Sequence, residues 1–96
     1  MGMKAKTTAW KITDHLKTRA EREAYLNAAF ADGDTAVIAA ALGDIARAEG
    51  MSKVAKKTGL GRESLYKALS PDGNPALATI LKVLKAFDLN LKAACL

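Results

Sequence analysis

The chain has 96 residues, half of them apolar and 26% charged, which is the size and balance of a single globular domain. Fifteen Lys and Arg stand against ten Asp and Glu, for a net charge of +5. One cysteine (Cys95) and one histidine (His15) exclude an intrachain disulfide framework and a structural zinc site built from Cys and His.

In chain order, residues 1–9 show no periodicity, and residues 1–17 are expected to form an N-terminal arm ahead of one domain over 18–96. Lys4, Lys6 and Lys11 are followed by no apolar stretch, so no signal peptide is expected. Thr18 and Glu21 have the spacing of a capping box, which opens a helix over 19–31 with Leu26, Ala29 and Phe30 as its inner stripe. Asp32-Gly33-Asp34 closes that helix, and Asp34 is the expected cap of the next, over 35–49. There Ile38, Leu42 and Ile45, with Val37 and Ala41, repeat at core-facing intervals. Gly50 is placed to stop it in the left-handed conformation. Ser52 is expected to cap a short helix over 53–58, and a second short helix follows over 62–69. Ser70-Pro71-Asp72-Gly73-Asn74-Pro75 is a dense turn signal. Asn74 is expected to cap a last helix with Pro75 in its first position, running to about Phe87 with Leu77, Ile80, Leu81 and Leu84 inward. From Leu89 to Cys95 the apolar residues alternate with a period of two, the pattern of a short C-terminal strand; in an all-helical domain this leaves either a loose tail or an intermolecular edge that could pair across a twofold dimer.

The fold class expected from this pattern is all-α, five helices, possibly with that short strand. The longest apolar run, 36–42, falls far short of the roughly 20 residues that span a membrane, so a cytoplasmic protein is expected. Charge is divided unevenly. Residues 1–50 carry seven basic and seven acidic side chains, whereas 51–96 carry eight basic and three acidic, so the whole excess lies in the second half. Such a cluster suits an anionic partner, though a solvated helix face gives the same count.

Residues 51–69 hold the chemistry. Two helices of about two turns joined through Gly59 read as a helix-turn-helix. Ala55 is small where the second helix crosses the first, Leu60 fills the gap between them, and Val54, Leu65, Ala68 and Leu69 supply a shared core. Arg62, Glu63, Tyr66 and Lys67 are left facing outward on a helix of a size the major groove of DNA admits. An enzyme needs nucleophile, base or metal within reach of one another. His15 and Cys95 lie near opposite ends, Ser64 and Ser70 have no base nearby in sequence, and Gly59-Leu60-Gly61 lacks the spacing of a phosphate loop. No catalysis, metal or cofactor is expected. Trp10 lies outside the core pattern and suits either a fold-back contact or a partner anchor.

The stretch from Ser52 to Phe87, "SKVAKKTGLGRESLYKALSPDGNPALATILKVLKAF", resembles the addiction-module antidote (HigA-like antitoxin) family, with its Xre/lambda-repressor-type helix-turn-helix. The resemblance extends upstream through "EAYLNAAFADGD" and "IAAALGDIARAEGMS" and covers about 18–91. It departs at Gly61, where members usually carry Ser, so a hydroxyl that could touch DNA is missing. The resemblance implies a five-helix lambda-repressor-like domain and a homodimer that represses its own operon. It also implies binding and neutralisation of a cognate toxin of the RelE/ParE type. Carried onto this chain, it makes Arg62, Glu63 and Lys67 base readers, with Arg62 suited to guanine and Glu63 either accepting from a cytosine amino group or only orienting Arg62. Ser52 and Lys53 would position the phosphate backbone. Gly61, Ser64 and Tyr66 complete the candidate DNA-binding set, Tyr66 by a phosphate contact or by packing. Residues 1–50 are then the candidate toxin-facing part. A stand-alone prophage- or plasmid-type repressor without a toxin partner stays open as the alternative.

Overall fold

The computed structural model describes residues 11–95; residues 1–9 and Trp10, whose roles the sequence leaves open, lie outside that range. After one 3-10 turn, Ile12–His15, come five α-helices: α1 (Arg19–Asp32), α2 (Thr35–Glu49), α3 (Met51–Thr58), α4 (Arg62–Ala68) and α5 (Leu77–Ala86). The expected all-α, five-helix class is what forms. Helix α2 packs against the 3-10 turn, α1 and α3, and α3 in turn packs against α4 and α5.

The first two helices begin and end where their caps dictate. The Thr18 side chain accepts from the Glu21 amide at 3.1 Å while the Glu21 carboxylate accepts from the Thr18 amide at 2.9 Å. That bond from the Thr18 amide, helped by the Lys17 amide, holds the Glu21 carboxyl below its ordinary pKa. Gly33 ends α1 in the left-handed region, and the Asp34 side chain accepts from Ala36 N at 2.9 Å to start α2. Gly50 also has positive φ, but at φ 107 and ψ 114 it lies outside the left-handed helical region expected.

Further expectations are corrected. Ser52 does not cap α3: the helix begins at Met51 behind Gly50, and Ser52 sits in its first turn. Asn74 and Pro75 precede the final helix, whose N-cap is Ala76. The buried stripe of α5 is Ile80, Val83, Leu84 and Phe87, rotated from the one expected, and Leu77 and Leu81 are 62% and 45% exposed. Val83 and Phe87 turn inward because α5 must cover α3, whose Val54 is fully buried. Val37, expected inward on α2, is likewise exposed.

The core joins Leu26 and Ala29 of α1, Leu42, Ile45 and Ala46 of α2, Met51 and Val54 of α3, and Leu65, Leu69, Leu84 and Phe87. Leu16, within the segment read as an arm, is 1% exposed and belongs to this core. The tail over 89–95 forms no strand, since a strand needs a neighbouring strand to pair with and this chain offers none among its described residues. It lies instead beside α1, and together they line a groove of about 920 Å³.

Candidate functional site

Helices α3 and α4 and the three residues between them form the segment singled out in the sequence. Gly59 takes φ 76 and ψ 8, and its amide bonds Ala55 O at 2.9 Å, a left-handed stop that glycine adopts without a side-chain penalty. Thr58 locks the turn from the other side. Its hydroxyl donates to Val54 O at 2.8 Å and accepts from the Leu60 amide at 3.2 Å. Val54, Leu65 and Leu69 are buried between the helices, with Ala55, Leu60 and Ala68 half-buried beside them, as the residue pattern requires.

The far end of α4 is pinned by two glycines, Gly73 of the turn signal and Gly43, which the sequence pattern does not flag. A Cβ on Gly43 of α2 would stand 2.1 Å from Leu69 O, and one on Gly73 would stand 2.2 Å from Ala68 O. Neither space holds a methyl group. The backbones of α2 and of the 70–73 turn therefore close directly onto the carbonyl end of α4.

All eight candidate residues reach the surface: Ser52 and Lys53 on the first turn of α3, Gly61 at the N-cap of α4, and Arg62, Glu63, Ser64, Tyr66 and Lys67 along α4. Gly61 has φ −69 and ψ 143, an ordinary extended conformation, so glycine here is not demanded by the backbone. Two members are in contact. The Arg62 guanidinium lies 5.7 Å from the centre of the Tyr66 ring, one turn along the helix. Among the described residues Glu63 makes no ion pair, so the ring, rather than the carboxylate, orients Arg62. Lys53 reaches toward Glu49 at 4.0 Å with its side chain 62% exposed.

Behind this surface lies a charged network that local patterning does not reveal. Glu49, the last residue of α2, accepts from Arg22 Nη1 at 2.8 Å and from Lys57 Nζ at 3.0 Å. Arg22 also donates through Nε to Leu16 O at 2.8 Å and lies 5.8 Å from the Phe87 ring centre, while Lys57 donates to Ala86 O at 3.3 Å. Burial alone would raise the Glu49 pKa. The hydrogen bonds from Lys57 and Arg22, with their charges, outweigh it and hold the carboxyl below its ordinary value. One carboxylate thus ties α1 and the residue before it to α3 and α5. On the opposite side of α2, Tyr25 donates to Asp44 Oδ2 at 2.6 Å, and Arg47 bonds the other oxygen at 2.8 Å. Burial and the Asp44 bond push the Tyr25 phenol up to about 12.

A surface helix presenting Arg, Glu, Tyr and Lys over a rigid two-helix base matches the region by which the chain resembles antidote proteins. A family model described as "probable addiction module antidote protein" matches residues 6–95, which takes in every described helix and the tail. The chain belongs to this family. A Haemophilus influenzae protein described as uncharacterized is 46% identical over 81 residues, 84% of this chain and 84% of that one. No solved structure matches the chain. The family match begins at Lys6, so much of the segment ahead of α1 belongs to the antidote-family region, as does the buried Leu16. Among the described residues of this antidote-family chain, no helix is long and apolar enough to cross a membrane, and no three acidic, His or Cys side chains gather as metal ligands do.

Proposed function

We propose that this antidote-family chain is the antitoxin of a type II toxin-antitoxin module. In this reading it works in the cytoplasm by binding alone, without a catalytic step or cofactor. One surface, α3 with α4, binds duplex DNA of its own operator as a helix-turn-helix of the Xre/lambda-repressor type. A second surface, drawn from residues 1–50, holds a cognate toxin of the RelE/ParE type. Homodimerisation sets two copies of α4 about 34 Å apart, in successive major grooves of a near-palindromic site, where the bound protein occludes polymerase.

The observation that carries the DNA-binding part is the outward set on α4. The helix is seven residues long, buries Leu65, and leaves Arg62, Glu63, Tyr66 and Lys67 exposed together on a half of the chain that holds all the excess positive charge. Arg62 suits two parallel bonds to guanine, worth about 1–3 kcal/mol of discrimination. Ser52 and Lys53, on the first turn of α3, suit phosphate. The antidote-family membership supports the toxin-binding part. Co-expression with the product of the reading frame next to its gene tests that part. The expected result is relief of growth arrest and a complex that co-purifies. Growth arrest unrelieved by the chain, with no complex formed, would leave a stand-alone repressor.

A further inference from the structure

A second cationic feature lies off the α4 surface. Lys57 and Thr58 at the end of α3, with Lys82, Lys85, Ala86 and Asp88 at the end of α5, line a shallow depression of about 320 Å³. The lysines in it are not equivalent. Lys57 is already engaged by Glu49 and by Ala86 O, which complements the carbonyl end of α5. Lys82 and Lys85 are exposed, and among the described residues neither side chain makes an ion pair or a hydrogen bond. With Asp88 set against them, the depression keeps an excess of positive charge whose two uncommitted ammonium groups come from outside the helix pair that reads DNA.

Position gives this charge a ligand. Thr58 is separated from Arg62 by three residues, so even a fully extended connection spans no more than about 14 Å. The major groove is about 12 Å wide. Because Thr58 lines the depression, α5's lysines flank the turn that leads into α4, and the phosphate backbone bordering a groove that receives α4 is the anion this position offers them. We infer that this depression seats a phosphodiester group of the same duplex, with Lys82 and Lys85 as the cations that hold it. The inference rests on the DNA-binding reading above and adds α5 to the DNA contact surface.

The test titrates the full chain into a labelled operator duplex and a scrambled one, by fluorescence anisotropy, between about 50 and about 200 mM salt. Wild type is compared with Lys82→Ala/Lys85→Ala and with Lys17→Ala/Lys92→Ala. The second pair removes the same net charge from residues that do not line the depression, and circular dichroism checks that both variants are folded. Loss of the one phosphate held there lowers the slope of log affinity against log salt by about 1 on both duplexes alike, so the fall in affinity across that salt range shrinks by about 3.5-fold. The Lys17/Lys92 variant should keep the wild-type slope. An unchanged slope in the Lys82/Lys85 variant, or equal changes in both variants, would overturn the phosphate site while leaving α4 as the reading helix. A wild-type chain that binds neither duplex would overturn both.

Discussion

Tyr66 had two sequence-level readings, a phosphate contact or a packed ring, and its geometry favours a third. At 44% exposure it is not core, and its ring lies under the Arg62 guanidinium, restricting a side chain that otherwise loses rotamer freedom on binding. Exposed cation–π contacts contribute about 0.5–1 kcal/mol. Tyr66→Phe should therefore bind the operator as wild type does, and Tyr66→Ala should bind it about two- to fivefold more weakly. Equal losses in both variants would assign the effect to the hydroxyl. Glu49 makes a prediction of a different kind. Its side chain and that of Arg22 are 10% and 11% exposed, between the surface and buried cases, so Glu49→Gln should cost about 2 kcal/mol at neutral pH. Because Glu49 ionises more readily in the folded chain, its contribution is complete above the ordinary carboxylate range and is lost as pH falls through its lowered value. Denaturant melts should show the gap between wild type and Glu49→Gln closing toward pH 3; a gap constant with pH would contradict the network. The exposure of the eight candidate residues was legible, because the apolar positions of α3 and α4 turn inward and leave these outside. Arg22, Glu49 and Lys57 were not, because they meet across α1, α2 and α3, and no local pattern reports a contact between residues 27 or more positions apart, as Arg22 and Glu49 are.

Among the elements, helices whose ends are fixed by local bonds were readable. The Thr18–Glu21 box and the Asp34 cap place α1 and α2 to within a residue. The starts of α3 and α5 were misplaced because Ser52 and Asn74 have capping chemistry that the chain does not use there: Gly50 and Ala76, neither with a side-chain cap, precede those helices. The end of α5 shows a different device. Asp88 takes φ 63, its amide bonds Lys85 O at 3.0 Å, and the Leu89 amide bonds Leu84 O at 2.9 Å. This is a Schellman closure with Asp where glycine is usual, and with Leu89 folded back onto the core. Asp88→Gly should relieve about 1 kcal/mol of left-handed strain and raise Tm by about 4–8 °C. A Tm that falls would show the carboxylate to be needed. Gly43→Ala should act oppositely, costing about 1–3 kcal/mol as α2 is forced away from the Leu69 carbonyl, with equilibrium unfolding as the measure.

Across the whole molecule, α2 is the hub, touching the 3-10 turn, α1 and α3, and its middle and its last residue anchor the surface helices in different ways. Its middle closes onto the end of α4 at Gly43, and its last residue clamps α3 and α5 through Glu49 and Lys57. The same clamp runs through Arg22 to Leu16, so Leu16 ahead of α1 and the two-helix base are parts of one packed body. Rigid support of this kind is what a reading helix needs, because a base contact tolerates little displacement. The all-helical class was legible from the apolar spacing. Of the two readings of the tail, the loose one describes this chain: alternation alone does not supply a partner strand, and Leu89 packs on the core while Leu91 to Cys95 stay exposed. The most direct test of DNA reading by α4 is a titration of wild type and Arg62→Ala against a duplex from upstream of the gene and a scrambled duplex, at two salt concentrations. The expected result is a preference of wild type for the upstream duplex that survives higher salt and is abolished by Arg62→Ala. Equal, salt-labile binding of wild type to both duplexes would contradict sequence reading by α4.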